Sequence, residues 1–284
     1  MTKILKILLA IFLIGLFMYG VYYVMSRQGE AISIRMADQV QKTEEQVPPP
    51  PPPPMYDTNT LEQTITTILA TYPLDSAVSV QAVGEDIATN VQADAEYIAA
   101  STTKAIVATY ALSQVEKGTI TLQSTIKGVT LQEHITRMIV DSSNTSWYAL
   151  LEYFGYSNIT AYANANGAPS FKAVPNTITP IDMASFIRNM HAGTLINKDH
   201  QTFLEGLMST AYTGPISLDE SFSNSIRKAG WLSDRAHLTG VLVSGDKAVS
   251  YAIYTKIDAN GSYSYANSSA LINDVLSAIT TALQ

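Results

Sequence analysis

Ser101-Thr102-Thr103-Lys104 opens the apolar run Ala105-Ile106-Val107-Ala108-Thr109-Tyr110-Ala111-Leu112. A serine in the first turn of a buried helix has unpaired backbone N–H groups around it. A lysine three residues later projects from the same helix face, one turn away. Burial disfavours the ammonium, so such a lysine deprotonates more easily than a solvated one. A hydroxyl, a neutralisable amine and free N–H donors together make an acylation centre, with nucleophile, base and oxyanion site. The spacing alone is common: Ser124–Lys127, Ser225–Lys228 and Ser244–Lys247 share it. Ser124 runs into Gly128, Ser225 leads into an apparent strand, and Ser244-Gly245-Asp246-Lys247 reads as a hairpin turn. Only Ser101 has a buried helix behind it.

Upstream, Ile7 to Met25 is a continuous apolar stretch of 19 residues. As a helix it would span ~28 Å, close to the thickness of a bilayer's hydrocarbon core. Lys3 and Lys6 precede it, so the positive-inside rule puts the N-terminus in the cytoplasm. A cleaved signal peptide is the alternative, but Tyr22-Tyr23-Val24-Met25 offers no small-residue cleavage site. The expectation is a retained transmembrane anchor over 1–25, single-pass in the cell membrane, with the remainder extracytoplasmic. Residues 26–57 are polar and then proline-rich, with an unbroken run from Pro48 to Pro54. Such a run favours an extended spacer of ~20 Å, although a disordered stalk has the same composition. Residues 58–284 are long enough for one domain with a large core.

The 284 residues carry a net charge of −7 with no basic stripe, which argues against nucleic acid as a partner. There is no cysteine, so disulfides, thiolate metal sites and lipid attachment through cysteine are excluded. His134, His191, His200 and His237 are scattered and show no metal-ligand spacing, so neither a metal nor another cofactor is expected. His134 reads as a helix residue and His237 as a strand-end residue. Trp147 and Tyr148 read as helix core, and Tyr251, Tyr254, Tyr263 and Tyr265 as strand packing. Gly155-Tyr156-Ser157 begins like a nucleophile elbow, but Ile159 stands where the closing glycine belongs.

Periodicity predicts a helix over 61–70, a strand over 77–83 and a return strand over 87–93. The Ser101 helix stops near Lys117-Gly118. Residues 130–215 read as helices and loops, with a capping box at Thr130–Glu133 and further helices over 182–190 and 203–208. Strands follow over 226–231, 238–243 and 249–255, spaced as an antiparallel meander, and a helix over 270–283 closes the chain. The fold class is therefore α+β in three α-β-α layers. A mainly antiparallel sheet is assembled from distant segments, the terminal helices cover one face, and an inserted all-helical subdomain covers the other.

Two triplets follow Ser101 in chain order. Ser142-Ser143-Asn144 is the chain's one Ser-x-Asn, at a helix–helix junction, and Lys228-Ala229-Gly230 its one Lys-x-Gly, on a strand. With Ser101–Lys104 they resemble the Ser-x-x-Lys, Ser-Asp-Asn and Lys-Thr-Gly elements of the serine β-lactamase and penicillin-binding-protein superfamily, nearest its class A branch. Met138 to Thr145 and Thr177 to Phe186 extend the similarity, which covers about 76–284. The resemblance implies an acyl-serine hydrolase. Ser101 would be the nucleophile, Lys104 its base, and Ser142 the proton relay to the leaving nitrogen. Asn144 would bind the substrate amide and steady Lys104. Lys228 would supply positive charge for the substrate carboxylate and for Ser142, and Gly230 would let substrate backbone lie along the strand. The backbone N–H groups of Ser101 and Trp231 would form the oxyanion site.

Two departures bear on substrate. The family's β-lactamases carry a glutamate on the omega loop to activate water for deacylation. Here no Asp or Glu lies between Glu152 and Asp182, and the segment looks shortened. Ala229 replaces a hydroxyl residue that would hold a carboxylate, a loss of ~1.5–3 kcal/mol that implies weaker recognition of penicillin or D-Ala-D-Ala carboxylates, or a different substrate. The expected function is therefore D-Ala-D-Ala carboxypeptidase chemistry of the penicillin-binding type on cell-wall peptides. β-Lactamase activity is one alternative, and a non-catalytic wall-binding or sensor domain another. Oligomeric state is left open.

Overall fold

The computed structural model describes residues 2–42, 54–258, 260 and 263–284. They fall into two units, 1–53 and 54–284. The first contains one helix, α1 (Lys3–Lys42), which runs on past Met25 into the segment read as linker. Ala10–Gln28 is its apolar part, long and apolar enough to cross a membrane. The proline run from Pro48 to Pro53 lies outside the described residues.

The second unit is built on a five-stranded antiparallel sheet of β1 (Asp75–Ala82), β2 (Ala88–Val91), β7 (Ile226–Leu232), β8 (Arg235–Ser244) and β9 (Lys247–Lys256). Their order is β2-β1-β9-β8-β7. The first two strands thus add to the C-terminal meander, leaving β7 at one edge. Two short pairs stand apart: β3 (Tyr97–Ile98) with β6 (Thr177–Ile178), and β4 (Thr125–Ile126) with β5 (Val129–Thr130). The turn read at Ser244–Lys247 joins β8 to β9, with Gly245 at φ +63°, where glycine has no Cβ to clash.

Helices α2 (Thr58–Thr71) and α9 (Tyr265–Ala282) pack on one sheet face through Leu61, Ile65, Leu271, Val275 and Ile279. The other face carries α3 (Lys104–Glu116), α4 (Leu131–Ile139), α5 (Asn144–Phe154), α6 (Tyr156–Ala165), α7 (Pro180–His191) and α8 (Lys198–Ser209). Helix α3 is buried along its length because α4 to α8 all pack against it, which is why its apolar residues show no stripe. Side-chain caps start most of the others. Thr130 accepts from Glu133 N, Ser143 from Ser146 N, and Thr179 from Asp182 N with Pro180 in the first turn.

Several expectations change in detail. The α-helical bonds of α3 begin at Lys104, so Ser101 sits in the tight turn before it. That turn is closed by Thr102 N→Ala99 O and Lys104 N→Ser101 O, both 3.3 Å. Helix α8 is twice as long as its apolar core suggested, because the polar stretch from Lys198 belongs to it. Tyr251 and Tyr254 are buried strand residues, whereas Tyr263 precedes α9 and Tyr265 starts it. His237 lies inside β8 and is fully buried rather than closing a strand.

Candidate active site

The three sequence elements converge. Lys104 Nζ donates to Ser142 O at 2.5 Å, to Ser142 Oγ at 3.3 Å and to Asn144 Oδ1 at 2.8 Å. Lys228 Nζ donates to Ser142 Oγ from the other side at 3.1 Å, and to Ala229 O at 3.1 Å. Ser142 therefore stands between two lysines. It does so from a left-handed backbone, φ +57°, a conformation that costs a non-glycine residue energy and is held by its surroundings.

Both lysines are out of water, Lys104 1% and Lys228 0% exposed. Burial lowers the Lys104 pKa to about 8. Burial, with the charge of Lys104 nearby, lowers that of Lys228 to about 7. An amine that is partly neutral near physiological pH can accept a proton from a hydroxyl.

Ser101, Lys104 and Asn144 line one cleft of about 250 Å³. Trp231 and Leu232, at the end of the edge strand β7, form one wall, Trp147 and Tyr148 of α5 another, and Pro175 and Asn176 a third. Lys228 is not among the lining residues, because Ser142 and the strand enclose its amine. Ala229 turns its methyl into the core beneath α9, away from the cleft, so the residue type there is set by packing. Ser143 has a structural task as the cap of α5.

Gly230 lies against the Ser101 turn. A Cβ on it would lie 2.6 Å from Ser101 N, 2.8 Å from Thr102 N and 3.0 Å from Ala99 O. The absent side chain thus lets β7 press against the Ser101 turn.

Two supports of this turn were not found from the sequence. Asn176 Oδ1 accepts from Thr103 Oγ1 at 2.7 Å, its Nδ2 donates to Ala100 O at 2.8 Å, and its carbonyl accepts from Ala99 N at 2.9 Å. The signal was present in Pro175-Asn176, since asparagine is the commonest non-glycine residue at positive φ and Asn176 has φ +69°. Beneath the turn, His237 Nε2 donates to Ile98 O at 3.0 Å while Nδ1 accepts from Thr255 N at 3.2 Å. Complete burial lowers its pKa to about 3, so the ring is neutral. It stacks on Tyr254, whose hydroxyl shares a 2.7 Å hydrogen bond with Thr102. Nothing in the sequence beside His237 announces that contact. Trp147 packs against the core as expected and also borders the cleft, whereas Tyr148 borders the cleft and is 51% exposed.

Asn176 yields a direct test. Asn176→Gly keeps the left-handed backbone and deletes both side-chain bonds, at an expected cost of ~1–3 kcal/mol in thermal or urea unfolding. Asn176→Ala adds backbone strain and should cost more. Equal stability of the two variants would show that φ at this position carries no strain.

A serine at a helix start, a desolvated lysine one turn on and a second hydroxyl between two amines are the apparatus of a serine hydrolase on an α-β-α scaffold. The chain belongs to the beta-lactamase enzyme family, whose model matches residues 60–283. Solved structures agree on the fold. The chain resembles a beta-lactamase from Chitinophaga pinensis (TM-score 0.72, 16% identity, 80% of this chain and 100% of that one). It also resembles PBP-A (TM-score 0.71, 18% identity, 81% and 98%) and the TLA-3 extended-spectrum beta-lactamase (TM-score 0.69, 16% identity, 78% and 98%). No curated protein matches the chain.

Proposed function

We propose that the protein is a membrane-anchored, extracytoplasmic serine hydrolase that cleaves peptide-like amides through an acyl-serine intermediate, as a penicillin-binding DD-peptidase rather than a β-lactamase. In this reading Ser101 attacks the carbonyl, Lys104 takes its proton, and Ser142 passes a proton to the departing nitrogen. The backbone N–H groups of Ser101 and Trp231 hold the oxyanion. Asn144 orients Lys104, and Lys228 holds the Ser142 hydroxyl from the side opposite Lys104. The apolar part of α1, with Lys3 and Lys6 before it, supports the anchor.

The observation that carries the choice between peptidase and β-lactamase is the chemistry of the cleft wall. Among the described residues that line it, none is Asp or Glu. Asp182 is occupied in accepting from Ser170 N at 2.6 Å, and Glu96 is paired with Lys172. With no carboxylate positioned to activate water, an acyl-enzyme formed from a β-lactam should persist. The test is intact mass of the full chain followed over time after exposure to a penicillin. A single adduct that forms, persists and is absent in Ser101→Ala supports the reading. Rapid turnover of a chromogenic cephalosporin would instead make the protein a β-lactamase. No adduct from any acyl donor, with the fold intact, would leave a binding domain.

A further inference from the structure

Between α8 and β7 the chain passes the edge strand as a strap, 210–218, that the mechanism above does not use. The strap is tied down at three places. Tyr212 N donates to Val140 O at 2.8 Å, two residues before Ser142. Ser217 N donates to Ser269 Oγ of α9 at 3.0 Å, and Ile216 is buried in the core beneath that helix. Arg227 of β7 holds the start of the strap, its Nη1 donating to Ser209 O at 3.0 Å and its Nη2 to Ala211 O at 3.4 Å. That guanidinium is 8% exposed, and its hydrogen bonds among the described residues all go to backbone carbonyls. A buried cation is costly unless its donors are satisfied, and carbonyls at the head of the strap satisfy this one.

The strap closes on Trp231. Gly214 has φ +63°, a left-handed backbone that favours glycine. A Cβ on it would lie 2.5 Å from Cε2, 2.6 Å from Cζ2 and 2.7 Å from Cδ2 of the Trp231 indole. The ring of Tyr212 stands edge-on to the same indole, with centroids 5.8 Å apart and planes at 89°. Trp231 lines the cleft, whereas neither Gly214 nor Tyr212 is among the described lining residues. The indole is thus a wall of the cleft whose far side rests on the strap.

We propose that the strap, through Gly214 and Tyr212, positions the Trp231 indole and so sets the width of the cleft, and with it the size of acyl group that reaches Ser101. This rests on the acyl-serine reading above and names residues that choose among its substrates. Gly214 and Tyr212 are positioning residues, since they touch the wall and the wall meets the acyl group. Trp231 suits the task because its own N–H is an oxyanion donor in that reading, which puts the acyl carbon beside the residue the strap holds. The two supports act in opposite senses. A methyl added at Gly214 pushes the indole off the strap and into the cleft. Removal of the Tyr212 ring leaves space on the strap side, and the indole tilts into it and widens the cleft.

The methyl thioesters of acetylglycine and phenylacetylglycine differ in the acyl group alone and test this with the full chain in lipid nanodiscs. Gly214→Ala should lower the phenylacetyl-to-acetyl ratio of kcat/KM by about tenfold, the scale of one methylene in a tight pocket. Tyr212→Ser should raise that ratio. A general loss of stability would move both donors together and cannot produce opposite signs. In a Trp231→Leu background, which keeps the backbone N–H and removes the indole, Gly214→Ala should leave the ratio nearly unchanged. Trp147 and Trp231 are the two tryptophans of the chain, so fluorescence of Trp147→Phe reports Trp231 alone. Added to that variant, Tyr212→Ser should make the emission easier to quench with acrylamide. Tyr212 is 59% exposed, so its replacement decides the matter even where Gly214→Ala does not fold. A ratio that Tyr212→Ser leaves unmoved or lowers, with a Ser101 adduct present, overturns the role of the strap and leaves the acyl-serine reading standing. So does a Gly214→Ala effect that persists without the indole. Absence of a Ser101 adduct from every donor overturns both.

Discussion

Replacing Gly230 with alanine is expected to reduce acylation of Ser101 by about a hundredfold or more, because a displacement of about 1 Å at a reacting atom is enough for such a loss. The three atoms nearest the new methyl, Ser101 N, Thr102 N and Ala99 O, all belong to backbone and cannot rotate aside. Either β7 moves away from the turn or the turn moves away from β7. Both displace the Ser101 amide that the mechanism uses as an oxyanion donor. Overpacking of this kind should also cost ~1–3 kcal/mol of stability. Gly206 provides the contrast. It lies in α8 with a backbone that needs no positive φ, and a methyl there would meet nothing within 4 Å, so Gly206→Ala should stabilise the fold slightly and leave acylation unchanged. Labelling by fluorescent penicillin together with thermal unfolding reads both effects. Wild-type labelling of Gly230→Ala would show that the close approach of β7 does not set the position of Ser101.

The second large effect is expected at Lys104. Methionine fills a similar length of buried slot, so Lys104→Met should fold, and the loss of the base should slow acylation by about 10²–10⁴-fold. The pH dependence separates a base from a packing residue. Because Lys104 works as the neutral amine and its pKa is about 8, the wild-type acylation rate should climb through the range below that value and level off above it. The residual rate of Lys104→Met should lose that rise. A wild-type rate that is flat or falling from neutral to mildly alkaline pH would remove Lys104 from the role.

The same two lysines make stability depend on pH. Their pKa values in the fold, about 8 and about 7, lie below the ~10.4 of an unfolded lysine. Between those limits the unfolded chain binds more protons than the folded one, so their contribution makes the protein more stable as pH rises. At lower pH both amines are charged in the fold and carry the cost of desolvation. Melting temperatures of the wild type and Lys104→Met, compared from neutral to mildly alkaline pH, should converge at the alkaline end.

Much of this arrangement was legible in the chain. The period-2 stretches at 77–83 and 249–255 form strands because their alternate side chains must face two different cores. Ser101–Lys104, Ser142–Asn144 and Lys228–Gly230 were found because amide cleavage demands a few residue types in contexts that sequence reveals: a helix start, a helix junction and a strand. What those residues face was not legible. Gly230 was assigned to the substrate, and its close packing against the Ser101 turn came only from the fold. Lys228 was assigned to a substrate carboxylate and to Ser142, and its 3.1 Å contact with Ser142 Oγ, from the side opposite Lys104, is set by the fold. Position 229, read as a loss at the cleft, faces the opposite core. Tyr148 was assigned to the core and borders the cleft.

The sequence by itself determined the order of elements, the apolar N-terminal helix and the candidate reactive groups, because propensity, periodicity and chemistry are local properties of residues and their near neighbours. Only the tertiary structure decided that Asn176 and His237, far from Ser101 along the chain, hold its turn in place. Only it set the two lysine amines on either side of Ser142 Oγ and out of water. Such facts depend on which surfaces meet when β7, α5 and the 166–176 segment close around the head of α3, and contacts between distant segments leave no periodic trace in any one of them.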